Sequence, residues 1–177
     1  MNRRLAQGIG EVAERSQPAS VEAVVALGAN LGDRAETLRA AIHDLARLPL
    51  VDEVRASVPV ESVAVKPEGR DASAPAYLNA VAILTTRLAP SVLLGYLHAI
   101  EARHGRERRE RWGDRTLDLD LISYGDVVSD DAALTLPHPR AAERDFVLAP
   151  WLAVQPDAIL PGSGRVDALL ERLRGDS

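Results

Sequence analysis

The chain has 177 residues and a mass of 19.0 kDa, which suits one domain with a core of ordinary size. Its formal net charge of −5 argues against general nucleic-acid binding, because such domains are usually basic. The chain has no cysteine, which excludes disulfides and thiolate chemistry. No apolar run approaches the roughly 18 to 20 residues that span a bilayer, and residues 1–20 lack the apolar core of a secretory signal. We therefore expect a cytoplasmic protein without nucleic-acid or membrane partners.

The first part of the chain divides at a short polar break. Gln17 to Ser20 contains proline and small polar residues that end any helix there, so residues 1–20 are predicted to be a tail or linker and residues 21–177 the folded domain. The apolar run from Val21 to Ala29 predicts a buried strand.

A helix is predicted directly after this strand. Asp33, followed three residues later by Glu36, is typical of a capping box at a helix start, and Pro49 marks the end. The apolar residues between them recur at helical spacing: Leu38, Ala41, Ile42, Leu45 and Leu48.

Two strands and a second helix are predicted next. Val54, Ala56 and Val58 alternate like a strand, and the run from Tyr77 to Thr86 predicts another that pairs with it as a hairpin around a polar loop. Pro90 suits the first turn of the second helix, which ends before Gly105. The apolar positions of this helix are Leu93, Leu94, Leu97 and Ile100.

A strand carrying two aspartates follows, and further helices are predicted around Ala142 to Ala153 and Val166 to Arg172. The order strand, helix, strand, strand, helix, strand is typical of the split βαβ arrangement. We therefore predict an α+β fold with a ferredoxin-like core, in which helices cover both faces of a mainly antiparallel sheet.

The aspartate strand carries the most informative chemistry in the sequence. Asp118 and Asp120 alternate with leucines, so both carboxylates project from one face, where they could bind Mg²⁺ through hard oxygen ligands. An arginine cluster suited to phosphate oxygens precedes or flanks the pair: Arg103, Arg106, Arg108, Arg109, Arg111 and Arg115. A polyphosphate site is one interpretation; an amphipathic edge strand with solvated aspartates is the other.

The exact sequence of the aspartate strand and the residues before it helps to choose between these two interpretations. The run from Arg111 to Asp120 reads R-W-G-D-R-T-L-D-L-D and resembles the signature of the 6-hydroxymethyl-7,8-dihydropterin pyrophosphokinases of folate biosynthesis. Four further segments are similar to that family in the same order: Ala26 to Asp33, Tyr77 to Val81, Glu101 to Arg108, and Leu136 to Leu148. One segment departs, because Val60 to Lys66 lacks the tyrosine, proline and glycine of the family's Tyr-x-Thr-x-Pro-x-Gly pattern.

The resemblance implies a set of site residues. Pterin would be bound by Tyr77, Asn79 and Phe146, and Mg²⁺ by Asp118 and Asp120. The residues implied for the nucleotide are Glu101, Arg108, Trp112, Arg115, His138 and Arg144. Arg106, Arg108, Asp118 and Asp120 are implied as the catalytic residues.

The implied reaction is transfer of the β,γ-pyrophosphoryl group of ATP to the hydroxymethyl oxygen of the pterin, with release of AMP and with two Mg²⁺ ions. We expect a monomer whose partners are these two small molecules. A Mg²⁺-dependent nucleotidyltransferase, which would release pyrophosphate, is one alternative. A noncatalytic pterin- or nucleotide-binding protein is the other.

Overall fold

The computed structural model describes residues 18–62, 64–66, 69–71, 76–105 and 117–175. In chain order its elements are β1 (Val21–Ala29), α1 (Arg34–Ala46), β2 (Val51–Ala56), β3 (Val60–Ser62), β4 (Ala64–Lys66), β5 (Gly69–Asp71), β6 (Tyr77–Thr86), α2 (Pro90–Arg103), β7 (Asp118–Tyr124), β8 (Ser129–Asp131), β9 (Leu134–Leu136), a 3₁₀ turn (Ala141–Glu143), α3 (Asp145–Val154), β10 (Ile159–Leu160), β11 (Gly164–Arg165) and α4 (Val166–Gly175).

A five-stranded antiparallel sheet forms the centre of the fold. Its path is β2-β6-β1-β7, and β3 pairs with the first part of β6. Because β1 lies between β6 and β7, strands distant in sequence become neighbours, as in the ferredoxin-like arrangement. The predicted α+β fold is confirmed, and so is the antiparallel pairing of the second and third predicted strands.

The helices cover both faces of the sheet. One core contains β1 residues such as Val25 and Leu27 together with the inward residues of α1 and α2. The other contains Val24, Val81 and Ile122 together with residues of α3 and α4. Strand alternation therefore sorts β1 and β7 between two cores, and Asp118 and Asp120 fall on the α3 face. None of the described helices is long and apolar enough to cross a membrane.

Local sequence signals account for the starts of α1 and α2. Asp33 caps α1 by accepting a hydrogen bond from the Glu36 backbone N–H at 3.0 Å, and Pro90 occupies the first turn of α2. The predicted second strand extends too far, because β2 ends at Ala56. Val58 is 80% exposed, and Pro59 has no N–H to continue the ladder.

The third helix also begins later than predicted. Residues 141–143 form a 3₁₀ turn, and α3 starts at Asp145, with Arg144 as the residue that precedes its first turn. The later start places Arg144 and Phe146 together at the N-terminus of α3. The short hairpins β4-β5, β8-β9 and β10-β11 were not predicted, since strands of two or three residues leave little periodicity in the sequence.

Candidate active site

Small residues of β1 form the floor of the site. Gly28 is paired with Asn79 on one side and Asp118 on the other, and Ala26 is paired in the same way with Val81 and Asp120. Neighbouring strands are roughly 5 Å apart, so the Asn79 and Asp118 backbones lie about 10 Å from each other. The antiparallel sheet thus brings together two chemically different groups, separated by a strand that has almost no side chain at this point.

A cavity of about 400 Å³ lies over this floor. Seven of the residues that line it were predicted from the sequence, and the others were not. The predicted ones are Tyr77, Asn79, Asp118, Asp120, His138, Arg144 and Phe146. The lining comes from β1, β3, β6, β7 and the segment from His138 to Val147, so only the fold brings these five parts of the chain together.

Glu101 supports the strand that carries the two carboxylates at one end of the cavity. Its Oε1 accepts a hydrogen bond from the Leu119 backbone N–H at 2.8 Å, and the residue is only 5% exposed. Leu119 stands between Asp118 and Asp120 on β7, so this bond fixes the backbone that carries both carboxylates. Glu101 does not line the cavity, and the bond to its Oε1 comes from protein backbone; the predicted contact with nucleotide stays a prediction.

Glu101→Ala is expected to destabilise the protein by about 1–3 kcal/mol, because it removes the acceptor of a buried backbone N–H. Glu101→Gln keeps an acceptor and should cost less. Urea unfolding of both variants measures the difference, with Glu143→Ala, at an exposed position, as the control. Equal unfolding midpoints for Glu101→Ala and the unsubstituted protein would contradict this account.

Arg144 links the carboxylates to the aromatic end of the cavity. Its Nη1 donates to Asp120 Oδ2 at 3.1 Å, and its guanidinium carbon lies 5.8 Å from the centre of the Phe146 ring. Asp120 is 44% exposed in its side chain and Arg144 is 20% exposed, so the pair faces the open cavity. A guanidinium in this position could bind a phosphate oxygen in two-point fashion.

His138 contributes a neutral hydrogen-bonding group to the same end. Burial lowers the pKa of His138; nearby Asp120 opposes this shift, while Arg144 and Arg140 add to it. Its Nδ1 accepts a hydrogen bond from the Arg140 backbone N–H at 3.1 Å. The neutral ring therefore carries its proton on Nε2, which can donate to an anionic oxygen.

The other end of the cavity has the character expected for a flat heterocycle. Tyr77 and Phe146 both line it, on β6 and α3 respectively, and both are partly buried. Asn79 is 6% exposed, and its Nδ2 donates to Ser62 Oγ at 2.7 Å. The structure thus brings the three predicted pterin residues into one cavity.

Several lining residues were missed in the sequence. Ser62 is the most informative, since it stands at the threonine position of the family pattern from which Val60 to Lys66 otherwise departs. The signal available in the sequence was a hydroxyl residue at that one position of the pattern. Arg140 and Glu143 also line the cavity and form an ion pair at 3.6 Å; neither had a distinctive pattern around it.

Four predicted residues lie outside the described part of the chain: Arg106, Arg108, Trp112 and Arg115. Their roles stay predictions.

The described residues contain no cluster of three or more His, Cys, Asp or Glu side chains that could hold a metal ion. The paired carboxylates of Asp118 and Asp120 nevertheless fit Mg²⁺. This ion commonly uses only one or two protein carboxylates, and water and substrate phosphates complete its octahedron. Both aspartates line the cavity, which leaves room for such additional ligands.

Comparisons with known proteins agree with this geometry. The family model described as 7,8-dihydro-6-hydroxymethylpterin-pyrophosphokinase (HPPK) matches residues 24–156. A Synechocystis sp. protein named 2-amino-4-hydroxy-6-hydroxymethyldihydropteridine pyrophosphokinase is 43% identical over 143 residues, covering 81% of this chain and 71% of the relative. Proteins of the same name are 37% identical in Haemophilus influenzae, over 86% of this chain and 92% of the relative, and 41% identical in Pseudomonas aeruginosa, over 82% and 88%.

Solved structures support the fold. A Plasmodium falciparum HPPK-DHPS crystal structure with pterin and p-hydroxybenzoate superposes with a TM-score of 0.63 at 12% identity, covering 92% of this chain. This chain spans 45% of that longer one. On the strength of the family match and of relatives aligned over most of their length, the chain belongs to the 7,8-dihydro-6-hydroxymethylpterin pyrophosphokinase family.

Proposed function

We propose that this chain transfers the β,γ-pyrophosphoryl group of ATP to the hydroxymethyl oxygen of 6-hydroxymethyl-7,8-dihydropterin, releasing AMP. One observation carries the proposal: a single cavity joins a carboxylate pair to a pocket lined by two aromatic rings and an amide. The hydroxymethyl oxygen would form a new bond to the β-phosphorus and lose its proton to water, while the bond from the β-phosphorus to the oxygen that bridges it to the α-phosphorus breaks and AMP leaves. Folate biosynthesis is the process that the family serves.

Asp118 and Asp120 would hold two Mg²⁺ ions. Bound there, the ions would supply neutralisation of triphosphate charge and acidification of the attacking hydroxyl. Asp120 is paired with Arg144 in this structure, so the guanidinium lies next to a carboxylate that would hold the ions. Glu101 would hold both carboxylates in register through Leu119.

The phosphates would be bound mainly by cationic and neutral donors. Arg144 would contribute positive charge, and His138 would donate through Nε2. Arg106, Arg108 and Arg115 would add further charge, and Trp112 would contact the nucleotide. Because phosphoryl transfer requires little covalent participation from protein, positioning and charge neutralisation would account for most of the rate enhancement.

The pterin would lie between the rings of Tyr77 and Phe146 with one edge against Asn79. Aromatic faces suit a flat heterocycle, and the amide supplies directional hydrogen bonding. The floor at Gly28 lets the heterocycle approach the sheet closely. A side chain there would start 3.4 Å from Asn79 Oδ1 and 3.5 Å from the Tyr77 ring.

We also propose that residues 1–20 are a tail or linker to the enzymatic domain formed by residues 21–177, and that the enzyme acts as a cytoplasmic monomer. Its partners would be the two small-molecule substrates.

The decisive test is product identity. With ATP, pterin and Mg²⁺, the proposed reaction yields AMP in a one-to-one ratio to pterin diphosphate. A nucleotidyltransferase with the same carboxylate pair would instead release pyrophosphate, and a noncatalytic binding protein would release neither. Chromatography of the nucleotide products, with pterin omitted as the control, separates these results. Pyrophosphate as the pterin-dependent product would overturn the proposal.

A further inference from the structure

Asn79 is held in one orientation by the oxygen atoms around its amide nitrogen. The Nδ2 atom is 2.7 Å from Ser62 Oγ and 3.5 Å from the carbonyl oxygens of Val60 and Tyr77. The two carbonyls can only accept hydrogen bonds, so the amide oxygen would be repelled from this position. The short bond to the Ser62 hydroxyl is the strong contact among the three, because the carbonyl distances are near the limit for hydrogen bonding.

The opposite side of the amide faces the floor of the cavity. Asn79 is paired with Gly28 across the sheet, and its Oδ1 is the atom that a side chain at Gly28 would meet first. Both residues line the cavity. The amide therefore offers a ligand its acceptor, while its donors are directed toward protein oxygens.

Ser62 itself is held in place by contacts outside the cavity. It belongs to β3, where it is paired with Tyr77 on β6. The adjacent Glu61 accepts a hydrogen bond from Arg34 at 2.9 Å, and the same guanidinium donates to the Ala76 carbonyl oxygen at 2.6 Å. Arg34 thus ties β3 to the start of β6, and this fixes the distance between the Ser62 hydroxyl and the Asn79 amide.

We propose that Ser62 is a positioning residue that sets Asn79 as an acceptor, so that the site selects a heterocycle edge that presents N–H groups. The pyrimidinone edge of a pterin has such groups, on its ring nitrogen and its exocyclic amine. The proposal rests on the proposed pterin site. It adds the residue that orients the Asn79 amide, and it specifies that the pterin edge bound by Asn79 presents N–H groups. It also assigns a role to Ser62, the hydroxyl residue in the segment from Val60 to Lys66 that differs from the family pattern.

Calorimetric titration of the purified full chain with 6-hydroxymethylpterin tests the proposal. Ser62→Ala is expected to weaken pterin binding about 5- to 10-fold, since the buried amide donor loses its close acceptor and the amide can rotate. Ser62→Thr keeps the hydroxyl and should bind within about twofold of the unsubstituted protein. Binding of a nonhydrolysable ATP analogue should be unchanged in both variants.

Two further variants distinguish the loss of Asn79 positioning from a general loosening of the pairing between β3 and β6. Ser57 is a matched control, because its buried Oγ also accepts a hydrogen bond from β6, from the Val81 N–H at 3.0 Å, and it does not line the cavity. Ser57→Ala should leave pterin affinity within about twofold. Ser62→Ala should have little further effect when Asn79→Ala is already present, because a positioning residue acts through the group it positions.

Side-chain amide signals give a readout independent of affinity. In nitrogen-15 spectra, the Asn79 amide protons should exchange slowly with water in the unsubstituted protein and faster in Ser62→Ala. Normal pterin affinity in Ser62→Ala, or additive losses in the double variant, would overturn the inference while leaving the proposed function intact. Absence of pterin binding by the unsubstituted protein would instead overturn the proposed function.

Discussion

Asp118→Asn and Asp120→Asn are each expected to lower turnover on the order of 100-fold or more, which corresponds to about 2.7 kcal/mol or more of lost transition-state stabilisation. Each substitution keeps the shape of the side chain and removes the charge that would hold Mg²⁺ against the triphosphate. Alanine at either position should be at least as damaging. Initial rates of AMP formation at saturating ATP, pterin and Mg²⁺ measure the effect.

A charge control is available within the same cavity. Glu143 also lines it, and its carboxylate pairs with Arg140 at 3.6 Å in an exposed position. Glu143→Gln removes one negative charge from the cavity without touching the paired aspartates, so its turnover should stay within a few-fold. Urea unfolding of each variant shows whether the fold is retained. Turnover within a few-fold of normal for both aspartate variants would end the two-metal hypothesis.

The sequence alone predicts that the carboxylates of Asp118 and Asp120 share one face, because a single strand carries both residues. Alternation along β7 decides which face each residue occupies, and the intervening Leu119 and the following Leu121 are buried in the opposite core. A local periodicity thus determined the arrangement. The helices α1 and α2 were predictable for the same reason, with a cap or a proline at the start and an apolar stripe along one side.

Contacts between distant segments could not be predicted in this way. The bond from Asn79 to Ser62 depends on a three-residue strand, and the bond from Leu119 to Glu101 depends on how α2 meets β7. His104 offers a third case: it had no recognisable partner in the sequence, yet its Nε2 lies 3.0 Å from Asp44, a residue 60 positions away. Periodicity describes the faces of an element, whereas such pairs depend on the packing of one element against another.

Phe146→Ala is expected to weaken pterin binding about 10-fold or more, because it removes one of the two aromatic faces proposed to enclose the heterocycle. The effect on ATP should be smaller. The contact between Arg144 and the ring, at 5.8 Å, is worth only about 0.5–1 kcal/mol at a partly exposed site, so its loss changes nucleotide affinity by a few-fold at most. Calorimetry with each ligand separately distinguishes the two effects.

The alternative role for Phe146 is packing, since the ring also contacts the core that contains Val147 and Trp151. Phe146→Leu separates the two roles, because leucine keeps most of the apolar volume and has no aromatic face. Stacking predicts that Phe146→Leu binds pterin almost as poorly as Phe146→Ala while unfolding at nearly the normal urea concentration. Tyr77→Phe, which keeps its ring, should be mild, and Tyr77→Ala should resemble Phe146→Ala. If Phe146→Leu binds pterin normally, the aromatic face is dispensable, and the ring belongs to the core and not to the pterin pocket.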